Sequence, residues 1–209
     1  HGFSGRMNAT NRSPALFAVI GLIMAFAFAI MWIVAAENDP AWTFGDNMIS
    51  ELGVSTNQFT ADVFKYGCIV CGALGFVFGV GKAYCEDNCS RASGIMCAAA
   101  GIFLALVGIY NSDYGNGNLH DTVSYLAFAF IFLAAALSVY GDWTEGKRIN
   151  GAIAAILILV AFSCYIGKDL AFTEGIAIIC ALFWMISESV KMILNIKSAK
   201  DVDVDVETI

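Results

Sequence analysis

Charged side chains are scarce in this sequence. Only 14% of its 209 residues are Asp, Glu, Lys or Arg, and 59% are hydrophobic. Soluble globular domains have about 25% charged and about 45–50% apolar residues. The mean hydropathy of +0.73 departs from that class in the same direction. The composition therefore argues against a soluble domain and is typical of an integral membrane protein.

Basic residues are also in deficit, since 11 Lys and Arg face 18 Asp and Glu, for a net charge of −7. The sequence has no basic stripe of the kind that contacts phosphates, so we expect no nucleic-acid partner. Much of the acidic excess lies in the segment DVDVDVET near the end of the sequence. We expect residues 197–209 to form an acidic, disordered, cytoplasmic tail.

A disulfide framework is missing despite seven cysteines. Cys85 and Cys89 fall in a predicted cytoplasmic loop, where thiols stay reduced, and are alternative candidates for palmitoylation or metal binding. Cys68 and Cys71 match a CxxC motif and resemble the pair of membrane quinone-linked disulfide reductases. They lie within a predicted helix, however, and no second pair is evident on the predicted outer side to relay electrons. We expect them to pack as small apolar residues.

Six long apolar segments remain, each about 18–26 residues in length. A helix needs about 20 residues to cross the hydrocarbon of a bilayer. The segments are Pro14–Ala36, Gln58–Gly81, Ala92–Tyr110, Leu119–Tyr140, Asn150–Gly167 and Leu170–Asn195. The predicted fold is an all-α integral membrane protein, a bundle of six transmembrane helices spanning residues 7–196 as one domain. Residues 1–6, HGFSGR, precede Met7 and are predicted to be an expression-tag remnant.

The distribution of Lys and Arg predicts the orientation, because such residues are enriched on the cytoplasmic side. Nine Lys and Arg residues lie on one predicted side of the membrane, and two, Lys65 and Lys168, lie on the other. The first side carries Arg6, Arg12, Lys82, Arg91, Lys147, Arg148, Lys191, Lys197 and Lys200. We therefore predict a multi-pass protein of the cell membrane with both termini cytoplasmic.

Small residues recur at four-residue spacing in the second predicted helix and form a broader small face in the third, and close packing through small residues drives helix association in lipid. They are Gly67, Cys71, Gly75 and Gly79 in one helix and Gly94, Ala98, Gly101, Ala105 and Gly108 in the other. We predict intimate contact between these two helices, within an up-and-down bundle. At the inner end of the sixth helix, Glu188 and Lys191 are predicted to form an ion pair.

The first outer loop, residues 37–57, is the longest polar interruption and far exceeds the few residues that a helix connection needs. Trp42 and Phe44 are natural interface anchors. Asp46 or Asn47 then precedes an apolar pattern that stops at Gly53. This pattern predicts a short interfacial amphipathic helix.

The run Asn47–Val54, followed by Phe64 and Gly67, resembles the domain-of-unknown-function 998 family of six-helix prokaryotic membrane proteins. The same Ile-Ser-acidic-x-Gly element is similar to the first outer loop of a eukaryotic family. That family includes damage-regulated autophagy modulators and a Golgi protein needed for lipid remodelling of GPI anchors. The first resemblance implies a six-helix topology without an established function. The second, more distant one implies a role at membrane lipids.

His120 opens the fourth predicted helix and is the only histidine beyond the tag remnant. One helical turn later stand Ser124 and Tyr125, so His120/Ser124 and Asp121/Tyr125 are pairs on one helix face. Near the start of the sixth helix, Glu174 is an intramembrane carboxylate, which is a functional hypothesis by default. Interfacial hydration or pairing with Lys168 is the structural alternative.

These groups support three functions. The first is the binding of a membrane lipid, or of a partner protein such as a second copy of this chain, through a polar cavity at the outer face. Its predicted ligand-binding residues are Trp42, Asp46, Asp121, Tyr125 and Glu174.

The alternative is a lipid hydrolase or acyltransferase with Ser50 or a water as nucleophile, His120 as base, and carboxylates such as Glu51 and Asp113 as orienting groups. The predicted catalytic residues Ser50, Glu51, Asp113 and His120 should then line one outer cavity. A variant holds a metal that activates water, although one histidine makes zinc binding weak. The sequence assigns no cofactor. A small transporter ranks third, because the helix centres are nearly all apolar.

Overall fold

Six long helices make up nearly all of the computed structural model, which describes residues 12–113 and 117–207, with side chains for 14–113 and 117–195. The helices are α1 (Arg12–Glu37), α2 (Gln58–Cys85), α3 (Asn88–Ile109), α4 (Asn118–Thr144), α5 (Arg148–Gly167) and α6 (Leu170–Glu207). Each is long and apolar enough to cross a bilayer. The predicted all-α, six-helix membrane fold is thus confirmed. The predicted tag remnant lies outside the described residues.

The helices form a closed ring. Each packs on its neighbour in sequence, and α1 also packs on α6. Short connections between long helices favour this up-and-down arrangement. A short 3-10 helix, Ile49–Val54, lies in the loop between α1 and α2 and packs against both of these helices and α6.

The α2–α3 interface depends on glycine. A Cβ built on Gly72 would lie 2.5 Å from the backbone nitrogen of Ala105 and 2.6 Å from the carbonyl oxygen of Gly101. A Cβ built on Gly79 would lie 2.3 Å from the backbone nitrogen of Ala98 in α3. The predicted intimate contact is therefore present. Gly67, by contrast, faces Met31 of α1 rather than α3.

A buried group of four charged residues, called the ion cluster below, joins three helices at the end of the bundle where α2 ends and α3 begins, which is called the inner end. It contains Lys82 of α2, Asp142 of α4, and Glu188 and Lys191 of α6, each at most 2% exposed. The Lys82 ammonium lies 2.5 Å from Glu188 and also binds Glu86. The Lys191 ammonium lies 2.9 Å from both Asp142 and Glu188. The predicted Glu188/Lys191 pair is one edge of this larger network.

The last helix continues beyond its membrane-spanning part. Residues 197–207, where the sequence predicts a disordered tail, are helical in the structure. Extending a helix costs much less than nucleating one, and the apolar span supplies the nucleus here. The helical state of this segment thus follows from what precedes it, not from its own composition.

Candidate functional site

The 3-10 helix covers the end of the bundle where α1 ends and α2 begins, which is called the outer end. Its apolar side chains Ile49 and Leu52 are fully buried, and Gly53 abuts the ring of Phe64. The indole nitrogen of Trp42 donates to the carbonyl oxygen of Met48 at 2.9 Å. The predicted interfacial helix therefore exists as a single 3-10 segment. Its apolar face is buried against the protein.

Glu174 of α6 fastens this segment to the bundle. Its carboxylate accepts a hydrogen bond of 2.6 Å from the backbone nitrogen of Ile49, and the next backbone amide, that of Ser50, lies close to the same carboxylate. These amides belong to the start of the 3-10 helix, where backbone donors lack partners within the helix and favour an acidic group. The ammonium of Lys168 instead lies over the ring of Phe172. Glu174 thus bonds to the loop and holds Ser50 at the outer end of α6.

A cavity of about 330 Å³ lies beside this junction, between α4, α5 and α6. We call it the lateral cavity. Its outer end is polar and contains Ser50, His120, Asp121, Ser124, Tyr125 and Glu174. Its deeper walls are almost wholly apolar and reach Trp184, whose indole nitrogen donates to Ser138 at 2.9 Å. The cavity therefore has one polar end and one apolar end, like a lipid.

His120 is held in one orientation at the polar end. The side chain is 3% exposed, and its Nδ1 lies 2.7 Å from the carbonyl oxygen of Tyr110. A carbonyl oxygen only accepts hydrogen bonds, so Nδ1 carries a proton. In the neutral ring Nε2 is then an acceptor, and it lies 3.5 Å from the hydroxyl oxygen of Ser124. The backbone carbonyl of Tyr110, the residue that follows α3, thus sets the tautomer that presents a base to Ser124.

Sequence comparison places this architecture in a family. The family model described as "Protein of unknown function (DUF998)" matches residues 18–190. The chain belongs to the DUF998 family. No curated protein and no solved structure matches it. The similarity to the eukaryotic family of lipid-remodelling proteins therefore stays a prediction.

The lateral cavity of this DUF998 protein unites five of the predicted site residues, which come from three separate segments. They are Ser50, His120, Asp121, Tyr125 and Glu174. The sequence indicated the His120/Ser124 pair through its four-residue spacing. It did not indicate the Tyr110 carbonyl or Trp184. A tryptophan far from both ends of a membrane span is the signal that could have identified the cavity floor.

The prediction that Glu51 and Asp113 share this cavity is wrong. The Glu51 carboxylate is exposed and folds back on its own segment, accepting from Met48 nitrogen at 3.1 Å and from the Asn47 amide at 2.9 Å. This local capping keeps Glu51 away from the cavity. Asp113 is exposed in the connection between α3 and α4.

The predicted ligand-binding residues Trp42 and Asp46 also lie elsewhere in the DUF998 structure. Trp42 packs edge-on against Trp32 and lines a separate groove between α1 and α6. Asp46 is exposed at the turn that precedes the 3-10 helix. Within the described ranges, no group of three or more His, Cys, Asp or Glu side chains is arranged to hold a metal ion.

Proposed function

We propose that this DUF998 protein binds a membrane lipid in the lateral cavity, with an acyl chain in the apolar depth and the headgroup at the polar end. The proposal places this polar end in the outer leaflet of the cell membrane, with both termini cytoplasmic, as the Lys and Arg asymmetry indicates. The observation that carries it is the gradient from polar to apolar along one cavity.

The exposed parts of the cavity wall support entry from the side. Tyr125 and Phe132 of α4 and Phe162 and Tyr165 of α5 line the cavity, and each is at least 49% exposed. In a bilayer these side chains face lipid, so the mouth lies between α4 and α5. A lipid would enter through it without leaving the membrane.

The size and polarity of the cavity also favour an apolar occupant. Apolar cavities of about 150 Å³ stay dry and bind small apolar molecules. The lateral cavity exceeds that volume and has few polar groups in its depth. Unfilled, its walls would lose van der Waals contacts that a bound chain restores.

Filling the cavity tests the proposal. Ala177 of α6 lines the lateral cavity, whereas Ala129 of α4 is exposed to the bilayer. We expect the purified protein to retain lipid, measured by native mass spectrometry. Ala177→Leu should reduce lipid occupancy about fivefold or more, because a difference of about 1 kcal/mol changes an equilibrium constant by that factor. Ala129→Leu is the matched control. Equal occupancy in both variants would refute the proposal.

A second candidate is an acyl hydrolase or acyltransferase, and the fixed orientation of His120 favours it. In this reaction the hydroxyl oxygen of Ser124 attacks an ester carbonyl and its proton passes to Nε2 of His120. The alcohol leaves with that proton, and water or a second alcohol then releases the acyl group. The distance of 3.5 Å is long for this transfer, but catalytic hydrogen bonds often tighten only when substrate is bound.

Fatty-acid release from a two-chain ester lipid tests this candidate. Ser124→Ala and His120→Ala should each lower the rate at least about 100-fold, the lower end of general acid–base contributions. Ser163→Ala is the control, since the Ser163 hydroxyl of α5 is exposed, donates to the carbonyl oxygen of Val160 and does not line the lateral cavity. A rate for Ser124→Ala equal to that of the unmodified protein would remove Ser124 as the nucleophile.

A further inference from the structure

Trp184 of α6 forms the floor of the lateral cavity. The side chain is 2% exposed, and its indole nitrogen donates to the hydroxyl oxygen of Ser138 in α4 at 2.9 Å. Ser138 in turn donates to the carbonyl oxygen of Ala135, also at 2.9 Å. A buried indole N–H needs a hydrogen-bond partner, and this one links the floor to α4. The ring is therefore held in one position at the apolar end of the cavity.

The ion cluster lies one helical turn beneath this floor. Asp142 follows Ser138 by four residues in α4, and Glu188 follows Trp184 by four residues in α6. Four residues make about one turn of a helix. A chain that passed the floor would place its methylene groups against these buried charges and separate them from their partners, which is strongly destabilising. The cavity therefore cannot deepen towards the inner end.

The side walls of the cavity also close near the floor. Ala135 of α4 is buried, and Leu157 and Ile158 of α5 are half-buried. The exposed lining residues Phe132 of α4 and Phe162 of α5 lie closer to the outer end than these three. A bound chain thus has lateral access in the outer part of the cavity and meets a closed end at the floor.

The depth of the cavity corresponds to a chain of medium length. Trp184 follows Glu174, at the polar end, by ten residues. This separation is about 15 Å along a helix. Because C–C bonds of about 1.5 Å zigzag, an extended chain advances about 1.3 Å per carbon atom, and about 12 carbon atoms cover this depth.

The volume of the cavity gives a similar chain length. A cavity of about 150 Å³ accommodates benzene, with its six carbon atoms. On that scale, the volume of about 330 Å³ accommodates on the order of 13 carbon atoms. Depth and volume therefore agree on the size of the apolar occupant.

We propose that Trp184 limits the bound acyl chain to about 12 carbon atoms, so that the lateral cavity selects lipids with medium-length chains. Trp184 is then the residue that determines chain-length specificity, because the end of the chain rests on its ring. This inference rests on the proposed lipid-binding function and adds the class of chain that the site takes.

Competition among chains of different length tests the proposal. The purified full chain in detergent is mixed with equal amounts of saturated monoacylglycerols from octanoyl to octadecanoyl, and the bound species are measured by native mass spectrometry. All of these lipids dissolve in the same micelles, so occupancy reports the fit to the cavity. We expect dodecanoylglycerol to be bound most, and octadecanoylglycerol at least about fivefold less, because carbon atoms beyond the closed end lose their contacts with the wall.

Lowering the floor should favour longer chains. We expect Trp184→Leu to move the highest occupancy to chains longer by about two to four carbon atoms, because leucine leaves part of the indole space empty. Ser138 keeps its bond to the carbonyl oxygen of Ala135 in this variant. Trp143→Leu is the matched control, since Trp143 is 59% exposed and does not line the cavity. It should leave the order of chain lengths unchanged.

Raising the floor should have the opposite effect and decides the matter if Trp184→Leu does not fold. Ala135 lines the cavity at the level of the floor, and Ala135→Leu should move the highest occupancy to chains shorter by about two carbon atoms. The exposed Ala129 again supplies the control, Ala129→Leu.

The outcomes separate this inference from the proposed function. Equal occupancy by all chain lengths would refute the length limit and leave lipid binding intact. Profiles of Trp184→Leu and Ala135→Leu that both match the unmodified chain would show that Trp184 does not set the limit. If the unmodified chain binds none of the monoacylglycerols and retains no lipid on purification, both proposals fall.

Discussion

Glu188 lies at the centre of the ion cluster. It contacts Lys82 of α2 and Lys191 of its own helix, and Lys191 in turn reaches Asp142 of α4. Two cations and two anions are fully buried here, and Glu86 adds a third carboxylate beside Lys82 at the edge of the cluster. Glu188 bonds both buried cations, and a buried charge that loses such a partner in a low-dielectric interior is strongly destabilising.

Removing the charge of Glu188 should therefore destabilise the bundle. We expect Glu188→Gln to lower the free energy of unfolding by about 3–5 kcal/mol, since it leaves Lys82 and Lys191 buried with one carboxylate fewer between them. Unfolding in mixed micelles with increasing dodecyl sulfate measures this change.

The matched control is Glu145→Gln, which alters an exposed pair with Lys147. Such pairs contribute about 0–1 kcal/mol. Similar losses for the two variants would mean that the ion cluster does not stabilise the fold.

Helices α2 and α3 form the closest pair of elements because glycine lets their backbones touch. A Cβ on Gly79 would lie 2.7 Å from both the Cα of Ala98 and the carbonyl oxygen of Gly94. A Cβ on Gly75 would lie 3.7 Å from the Cα of Gly101, an ordinary van der Waals distance. The two glycines are four residues apart on one helix and differ in available space.

This difference predicts opposite outcomes for the same substitution. Gly79→Ala should destabilise the protein by about 1–3 kcal/mol, because neither backbone can yield without separating the helices. Gly75→Ala should be neutral or stabilising by up to about 1 kcal/mol, because alanine favours the helix and the space admits a methyl group. Thermal unfolding in detergent compares the two variants. A larger loss for Gly75→Ala would contradict the proposed α2–α3 packing.

At the scale of the whole molecule, the sequence predicts the helices well, since the length of a membrane span is visible in consecutive residues. It predicts pairs within one helix, such as His120/Ser124 and Glu188/Lys191, because helical spacing alone brings them together. It does not predict Lys191 with Asp142, which are 49 residues apart. Such pairs depend on which helices are neighbours, and apolar periodicity carries little information about that in lipid.

In the candidate site, too, the sequence predicts contacts set by helix geometry and does not predict contacts set by the folding of the connecting segments. Residues on the inward faces of α4 and α6 meet as expected, because the bundle places their outer ends together. Glu51 and Asp113 belong to connecting segments, whose local hydrogen bonds decide where a side chain points. The sequence predicted these carboxylates at the same end of the bundle as His120. It could not show that Glu51 is already engaged by its own backbone.

The ion cluster also sets how the bundle can deform. It ties α2, α4 and α6 together at the inner end, and α5 contributes no residue to it. In a rigid-body tilt about a fixed end, displacement grows in proportion to distance from the pivot. We therefore expect a small rotation of α5 to open the proposed mouth between α4 and α5 most at the outer end of the bundle and to leave the inner end closed.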